Sequence, residues 1–525
     1  VLLDGHPALW IAAENWPVMR AAFPDATVEP LLELPPELDR AVTQADAWIA
    51  LVRGRIEHSG PVTARELAET IGLEESFAAA ALEALEGQGT VLRGMFTARA
   101  QQNTDADRSI AESEWCDRRL LARIHRLTMH GLRQQIQPVE PRAFLHFLAR
   151  HHHLLADNRW GGAVGVREAV AQLQGFELPA GAWERRVLAA RIEGYDPEWL
   201  DHLFLSGELV WGRLNPPRRD DTEKPSMAAL TRVIPISLLL REELMGLLPA
   251  ERDTPQAKLR GGAQLVLEAL TARGALFFAD LKAATGLLPT QLEDALRELA
   301  AVGLVTSDSF AAVRKIVEGK KSGRSSRTSG RRQLHGVAAP IGRWSLFPGA
   351  IAAGSRETYL DQWCWQLLKR WGVVFRDLVV RESSAPSWQQ LVGRFRRLEM
   401  RGDVRGGRFV SQVAGEQYAL PSAIEPLRQA RTELENAQEP PWIVLSAADP
   451  LNLFGVITGD PRIPATHRNA LIVSDGRLVA ARQAGTVEFY EPVDRVTEWE
   501  MRRAMTIGHR RIETTSEADL PPLAR

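Results

Sequence analysis

Four signatures of nucleotide-dependent and hydrolytic enzymes are missing from this chain of 525 residues. It has no G-x-x-x-x-G-K-[ST] phosphate loop and no acidic box of the DExH form, so it does not bind ATP in the manner of a motor protein. The G-x-S-x-G nucleophile elbow and the G-x-G-x-x-G dinucleotide loop are also absent. The sequence therefore offers no motor, serine-hydrolase or dinucleotide site of the usual kind.

Cysteine, long apolar runs and net charge are scarce as well. Cys116 and Cys364 lie far apart in helical patterns, which fits a reducing compartment and excludes a disulfide framework or a cysteine zinc site. No apolar run approaches the ~18 residues of a transmembrane helix, so no membrane partner is expected. The formal net charge is -2, so affinity for a polyanion would have to come from local patches.

The first residues, VLLDGHPALWIAAE, have neither an initiator Met nor a signal-like apolar core. They resemble the middle of a domain. We therefore expect a fragment of a longer chain, in which residues 1–40 are the tail of an upstream domain.

The stretch from Trp371 to Leu420 gives the clearest fold signal. An arginine-rich helical segment, Gln389–Met400, is followed by two β-prone runs, Asp403–Val404 and Arg408–Val413, and Gly406–Gly407 between them predicts a tight turn. Helix, strand, glycine turn and strand in this order are typical of a winged helix. In that form the last helix can enter a duplex groove while the hairpin contacts the flanking backbone.

The same order of elements recurs along the chain. A leucine-bearing helix, a glycine and a short apolar run follow one another, as in Leu85…Gly89-Thr-Val-Leu, and Thr63-Ala-Arg-Glu66 adds a capping box. Such repeats predict an α+β fold built as a tandem array of winged-helix domains. The predicted divisions are residues 41–110, a winged helix; 111–225, a basic helix with a diverged winged helix and a linker; 226–318, a winged helix; and 319–435, a basic linker with a winged helix.

Residues 436–525 change character and are rich in β-prone runs. Asp475–Gly476 lies between two such runs, and Asp-Gly in that context favours a type I′ hairpin turn. We predict that the array ends in a small β-barrel-like module. Two polar segments, Asn215–Pro225 and Arg314–Gly330, have compositions that predict mobile linkers.

The helix predicted over Cys116–Arg133 has the strongest charge pattern. Its basic residues recur at helical spacing while Leu120, Ile124 and Leu127 point away. Such a stripe could lie along a phosphate backbone, or it could pair with acids on a neighbouring domain. Its members are Arg119, Arg123, Arg126, His130 and Arg133.

A second basic group belongs to the presumed recognition helix and its wing. Arginine suits phosphate and guanine contacts because its planar fork donates two parallel hydrogen bonds. Winged helices also dock proteins, so both kinds of partner stay open. The residues are Arg394, Arg396, Arg397 and Arg401 in the helix, and Arg405 and Arg408 in the wing.

Two other groups of polar residues were weighed. Asp449, in SAADPLNLFG, lies in a predicted turn beside a strand, where catalytic groups often sit, although aspartate before proline is also an ordinary turn former. His151-His-His153 cannot supply three ligands to one ion because consecutive helical residues point in different directions. No metal site is predicted.

Several long motifs resemble the C-terminal half of long-form bacterial Lhr, the large helicase-related proteins. They are WIAAE near the start, WCDRRLLARIHRLTMHGLRQQIQPVEPRAFLHFL, GRWSLF, WGVVFRDLVVRE through GEQYALP, and SAADPLNLFGVITGDPRIPA. The likeness covers almost the whole chain. It implies an ATP-dependent 3′-to-5′ translocase and DNA or RNA–DNA helicase linked to DNA repair. ATP and Mg²⁺ would be bound in a motor outside this sequence, which itself would hold no cofactor.

The resemblance also implies partners. Single-stranded DNA or an RNA–DNA hybrid would be the ligand, and the chain would associate with itself as a tetramer in the cytoplasm, at the bacterial nucleoid. A cluster of tryptophans could anchor such an interface or fill the core. These are Trp363, Trp365, Trp371 and Trp388.

The array is similar as well to tandem winged-helix DNA glycosylases that unhook crosslinks. Those enzymes use a Gln-x-Gln pair, but Gln135-Ile-Gln137 reads as a helix–helix junction, so the catalytic role is not carried over. Two main functions therefore compete. One is a nucleic-acid-binding, oligomerising appendage of a helicase; the other is a base-excision enzyme with Asp449 as the nominated carboxylate. A scaffold whose winged helices bind only each other is a third.

Overall fold

The computed structural model describes residues 1, 10–97, 113–134, 136–215, 233–248, 259–318, 342–348, 356–436 and 441–507. The chain divides into two compact units, Val1–Gln135 and Ile136–Arg525. Most of both predicted linkers, residues 216–225 and 319–330, lies outside the described ranges. Of the helices in the described ranges, none combines the length and hydropathy needed to cross a bilayer.

The first unit is a winged helix preceded by a short helix. Its elements are a 3-10 turn Ala13–Asn15, helices α1 Trp16–Ala22, α2 Gln44–Ile56, α3 Ala64–Ile71, α4 Glu75–Gly87 and α5 Arg118–Gln134, and strands β1 Val62–Thr63, β2 Val91–Gly94 and β3 Glu114–Asp117. The predicted capping box at α3 is confirmed. The Thr63 hydroxyl accepts from the Glu66 amide at 3.2 Å, and the Glu66 carboxylate accepts from the Thr63 amide at 2.9 Å.

The second unit holds three further winged helices and a C-terminal sheet. The first of these winged helices comprises α6 Pro141–His151, β4 Trp160–Gly161, α7 Gly162–Leu173, β5 Leu178–Pro179, a π-helical turn Trp183–Leu188 that continues as Ala189–Arg191, β6 Ile192–Glu193, α8 Pro197–Leu205, β7 Leu209–Gly212, β8 Pro235–Leu240 and α9 Leu244–Leu247. The next comprises α10 Gly261–Arg273, β9 Leu276–Phe277, α11 Phe278–Thr285, α12 Pro289–Ala301, β10 Val305–Ser307, α13 Phe310–Glu318 and β11 Arg343–Leu346.

The last winged helix and the sheet complete the second unit. The winged helix comprises α14 Arg356–Trp371, β12 Val373–Phe375, α15 Arg376–Val379, α16 Trp388–Arg401, β13 Arg405–Gly407, β14 Gln417–Ala419 and α17 Pro421–Asn436. The sheet comprises β15 Trp442–Ser446, β16 Ala470–Ser474, β17 Arg477–Gln483, β18 Thr486–Phe489 and the helix α18 Arg495–Ile507.

In all four winged helices the strand that comes last in sequence lies in the middle of the sheet. The orders are β1-β3-β2, β5-β8-β7, β9-β11-β10 and β12-β14-β13, all antiparallel. The predicted boundaries after residues 110, 225 and 318 therefore need correction, because each separates a sheet from its central strand. Strands β3, β8 and β11 belong to the winged helix that precedes them.

The turn predicted at Gly406–Gly407 is wrong. Both glycines lie within β13, the return strand is β14, and the wing between them is the segment 408–416. A side chain on Gly406 would clash with Glu399, and one on Gly407 would clash with Ile136. The two glycines therefore allow close packing against the strand and do not form a turn.

The wing packs against its own chain. Phe409, Val410 and Val413 are buried. The amide of Val139 donates to the carbonyl of Phe409 at 2.8 Å, and the amide of Ser411 donates to the carbonyl of Val139 at 2.8 Å. This face of the wing is occupied by protein.

The C-terminal sheet is an open antiparallel meander in the order β15-β16-β17-β18. It does not close into a barrel within residues 441–507, so the barrel prediction is not confirmed. Helix α18 packs Met501 and Met505 against Ile472 of the sheet. The predicted type I′ turn is confirmed, because Asp475 and Gly476 have φ values of 57° and 69° and connect the paired residues Ser474 and Arg477.

The tryptophan cluster of the last winged helix serves mainly as core. Trp363 and Trp371 are fully buried, and Trp388 is partly buried against the same cluster. Trp365 keeps 40% of its surface exposed. Packing of this unit therefore accounts for most of the cluster.

Candidate nucleic-acid interface

The basic stripe predicted on the first arginine-rich helix is open to solvent. Arg119, Arg123, Arg126 and Arg133 are all exposed on α5. No residue of α5 is buried, and Leu127 of its apolar side is 57% exposed. Among the ion pairs of residues 10–97 and 113–134, none involves Arg119, Arg123 or Arg126.

A cavity of about 960 Å³ opens at the start of α5. Arg119 and Arg123 line it together with three basic residues that were not predicted, Arg53, Arg118 and His58. Two acidic residues, Glu57 and Asp117, also line the cavity. Asp117 is already engaged, because its carboxylate accepts the amides of Arg119 and Leu120 at 2.9 Å each and so caps the helix.

The predicted recognition helix differs, because each of its four predicted arginines has a carboxylate partner. Arg394, whose side chain is only 14% exposed, donates to both carboxylate oxygens of Asp361, one of them at 2.7 Å, and lies 3.3 Å from Glu357. This contact raises the pKa of Arg394 through the hydrogen bond to Asp361. The other pairs are Arg396–Glu416 at 2.8 Å, Arg397–Glu357 at 3.4 Å and Arg401–Asp403 at 2.7 Å.

The two predicted wing arginines differ in position. Arg405 is half-buried in β13, and Arg408 is exposed at the start of the wing. Neither takes part in an ion pair within residues 356–436. Nucleic-acid contact by the helix and wing stays a prediction, and only Arg405 and Arg408 offer guanidinium groups that no carboxylate holds.

Asp449 lies in a turn after β15, as predicted, but it does not face solvent. The side chain is 1% exposed. Its two oxygens accept from Nη1 and Nη2 of Arg191 at 2.7 and 3.0 Å, and Oδ1 also accepts the amide of Leu451 at 3.1 Å. Arg191 is itself fully buried. This geometry corrects the expectation of an accessible carboxylate: the pair joins the π-turn region to the C-terminal sheet.

The histidine run extends this buried network. His152 is fully buried, and its Nε2 lies 2.8 Å from the carbonyl of Arg370 while its Nδ1 lies 3.4 Å from Arg191. Burial and the adjacent charge of Arg191 hold the pKa of His152 well below its usual value. His151 and His153 contact different carbonyls, those of Lys369 and Asn158. No group of His, Cys, Asp or Glu in the described ranges is arranged to hold a metal ion.

The Gln-x-Gln letters give no site here. Gln135 lies outside the described residues, and Gln137 is exposed.

A further basic cleft was not predicted from the sequence. It has a volume of about 950 Å³ and lies where the π-helical turn, α13, α18 and the β17–β18 hairpin meet. Six arginines line it, namely Arg185, Arg186, Arg314, Arg468, Arg482 and Arg502, together with His467. They come from segments up to 300 residues apart, so no local sequence pattern could have grouped them.

Comparison with known proteins gives consistent matches. Residues 353–439 match the model of the fourth winged helix described as "Large helicase-related protein, winged-helix domain", and residues 139–230 match that of the third. The chain is 29% identical over 444 residues to the "Lhr helicase/ probable uracil glycosylase" of Mycolicibacterium smegmatis and 26% identical over 461 residues to the "Lhr helicase/uracil glycosylase" of Escherichia coli. Each match covers 80% of this chain and 28% of the relative.

Proposed function

We propose that this chain, which is a C-terminal Lhr-like region, holds a nucleic-acid strand for an ATP-driven helicase motor of the same family. It is a helicase-related nucleic-acid-binding region. Single-stranded DNA or an RNA–DNA hybrid is the ligand we propose. ATP and Mg²⁺ would act only in the motor, which would move 3′ to 5′ in DNA repair.

The observation that carries the proposal is the open arginine stripe of α5. Exposed guanidinium groups at helical spacing match a phosphate backbone, and neutralising phosphates releases counterions. Because Arg119, Arg123 and Arg126 have no carboxylate partner among the described residues, binding a strand does not first require an ion pair to break. The cavity beside Arg119 and Arg123 gives that strand room.

The test is the salt dependence of binding to a fluorescent single strand, followed by anisotropy between about 50 and 200 mM salt. Combined Arg119→Gln, Arg123→Gln and Arg126→Gln substitutions should reduce the slope of log K against log salt by about 2, since each phosphate contact on a single strand contributes about 0.7. An RNA–DNA hybrid measured in parallel distinguishes the two proposed ligands.

The matched control removes the same charge from the same unit. Arg20, Arg65 and Arg93 lie in ion pairs with Asp39, Glu75 and Glu86. Their combined change to glutamine should leave the slope near that of the unmodified chain. Equal losses in both triple variants would reduce the effect to overall charge, and no binding at low salt would refute the proposed function.

Base excision is the second candidate, and the names of both relatives favour it. Its test is release of uracil from a single strand by the full chain in the absence of ATP. Since Asp449 is enclosed by Arg191, we expect Asp449→Asn to reduce any base release only in proportion to the folded fraction. A folded Asp449→Asn protein without base release would return Asp449 to the catalytic role.

Self-association as a tetramer is also part of the proposal. The partly exposed Trp365 is the candidate anchor, because the other three tryptophans of the cluster pack in the core. Light scattering of the full chain and of Trp365→Ala tests it. An unchanged mass for the variant would remove Trp365 from the interface.

A further inference from the structure

The basic cleft of the second unit has too few acids for its arginines. Glu184 is the one carboxylate among the described lining residues, and it is held by Arg314 at 2.7 and 2.8 Å and by the Tyr195 hydroxyl at 3.0 Å. Arg502 pairs with Glu498 at 2.8 Å. The cleft therefore carries a net positive charge that its own lining does not neutralise.

Three of the arginines make no ion pair with any described residue. Arg186 makes one long hydrogen bond to the carbonyl of Met505 at 3.5 Å, and Arg482 donates to the carbonyl of Arg468 at 3.0 Å. Burial lowers the pKa of Arg186, and the positive charges of Arg482 and Arg185 lower it further. Like charges held together without a counterion reduce stability, which is typical of a site whose ligand supplies the opposite charge.

Backbone irregularities border the same cleft. The turn that carries Arg186 is π-helical, with the amide of Val187 donating to the carbonyl of Ala182 at 3.1 Å, five residues back. Such turns are rare and are found often at functional sites. On the opposite wall Ala484 has a φ of 50°, a left-handed conformation that is unfavourable for alanine. Both irregularities lie at the cleft.

We propose that this cleft binds the phosphodiester backbone of a nucleic-acid strand, through Arg186, Arg468 and Arg482. The site is additional to the α5 stripe but rests on the proposed function, since its ligand is the same class of molecule. A cavity of about 950 Å³ lined from four elements is far larger than one phosphate group and fits several linked phosphates. Arginine is suited to each of them because its fork donates two hydrogen bonds to a phosphate.

The test compares two double variants of the full chain by anisotropy with a fluorescent single strand. Arg186→Gln with Arg482→Gln should weaken binding roughly tenfold or more at moderate salt and reduce the salt slope by about 1.4, at about 0.7 for each contact. The control, Arg428→Gln with Arg477→Gln, removes two exposed arginines of the same unit that pair with Glu425 and Glu491. It should leave both quantities unchanged.

The thermal midpoint separates binding from folding. Removing two like charges should leave the midpoint unchanged or raise it, whereas arginines needed for the fold would lower it when replaced. A lower midpoint with the affinity loss confined to unfolded protein would overturn the proposal. So would unchanged strand affinity in the cleft variant while the α5 variant loses its own share, and in that case the proposed function would stand.

Tripolyphosphate serves as the second probe. If the cleft variant lost affinity for tripolyphosphate alone and kept its affinity for the strand, the site would be one for free polyphosphate and the proposal would be wrong. Loss of strand affinity in the cleft variant, with or without loss of tripolyphosphate binding, supports it.

Discussion

Two helices of this protein carry arginine at similar density and use it differently. On α5 the arginines Arg119, Arg123 and Arg126 are exposed and lie in no ion pair of the described residues. On α16 the arginines Arg394, Arg396, Arg397 and Arg401 are each held by a carboxylate of the same winged helix. The sequence predicted the same role for both, and the structure distinguishes them by the position of their acids.

The acids come from elements that a local pattern does not reach. Asp361 and Glu357 lie on α14, more than 30 residues before Arg394, and Glu416 lies beyond the wing. A guanidinium already bound to a carboxylate must exchange that partner for a phosphate, so its net gain on binding is small. An arginine helix is therefore a good candidate for a nucleic-acid contact only when its neighbours supply no acid.

The buried pair Arg191–Asp449 is the extreme case of a paired arginine, and we expect the largest effect there. Asp449→Ala would leave a buried guanidinium without its counterion, which typically costs about 3–5 kcal/mol of stability. Urea denaturation of the full chain measures the loss. The control is Asp403→Ala, which breaks the exposed pair with Arg401 and should cost less than about 1 kcal/mol. Equal losses would mean that burial does not decide the strength of these pairs.

The pH dependence of stability tests the same network at intermediate size. Burial and Arg191 hold the pKa of His152 below its usual value near 6.5. An unfolded His152 takes up a proton below that pH while the folded one does not, so the stability is complete above about pH 6.5 and is lost as the pH falls. One such group contributes up to about 1.4 kcal/mol per pH unit. His152→Gln should flatten the profile between about pH 6.5 and 5; an unchanged profile would exclude His152.

Local chemistry was predictable from the sequence. The capping box at Thr63 and Glu66 depends on residues three apart, and the type I′ turn at Asp475 and Gly476 depends on two adjacent residues, so short-range rules sufficed. The winged-helix repeat was also predictable, because its helices, glycines and strands come in a fixed order.

Long-range pairing was not predictable. The central strands β3, β8 and β11 return to their sheets after connections of many residues, and a run of four to six residues carries no sign of which sheet it joins. The same reason explains the candidate sites. Arg186 and Arg482 are separated by almost 300 residues, and Asp449 gives no local sign that Arg191 will enclose it.

The smallest expected effect is the most direct test of the comparison between the two helices. Arg396→Gln, Arg397→Gln and Arg401→Gln together remove the same charge as the α5 triple variant, but from guanidinium groups that Glu416, Glu357 and Asp403 already hold. We expect the salt slope of single-strand binding to change by less than about 0.5, against about 2 for α5, because few phosphate contacts are lost. Stability should fall by no more than about 1 kcal/mol, since all three pairs are exposed. A slope loss equal to that of α5 would mean that a bound strand displaces these carboxylates and that pairing in the free protein does not identify which arginines it contacts.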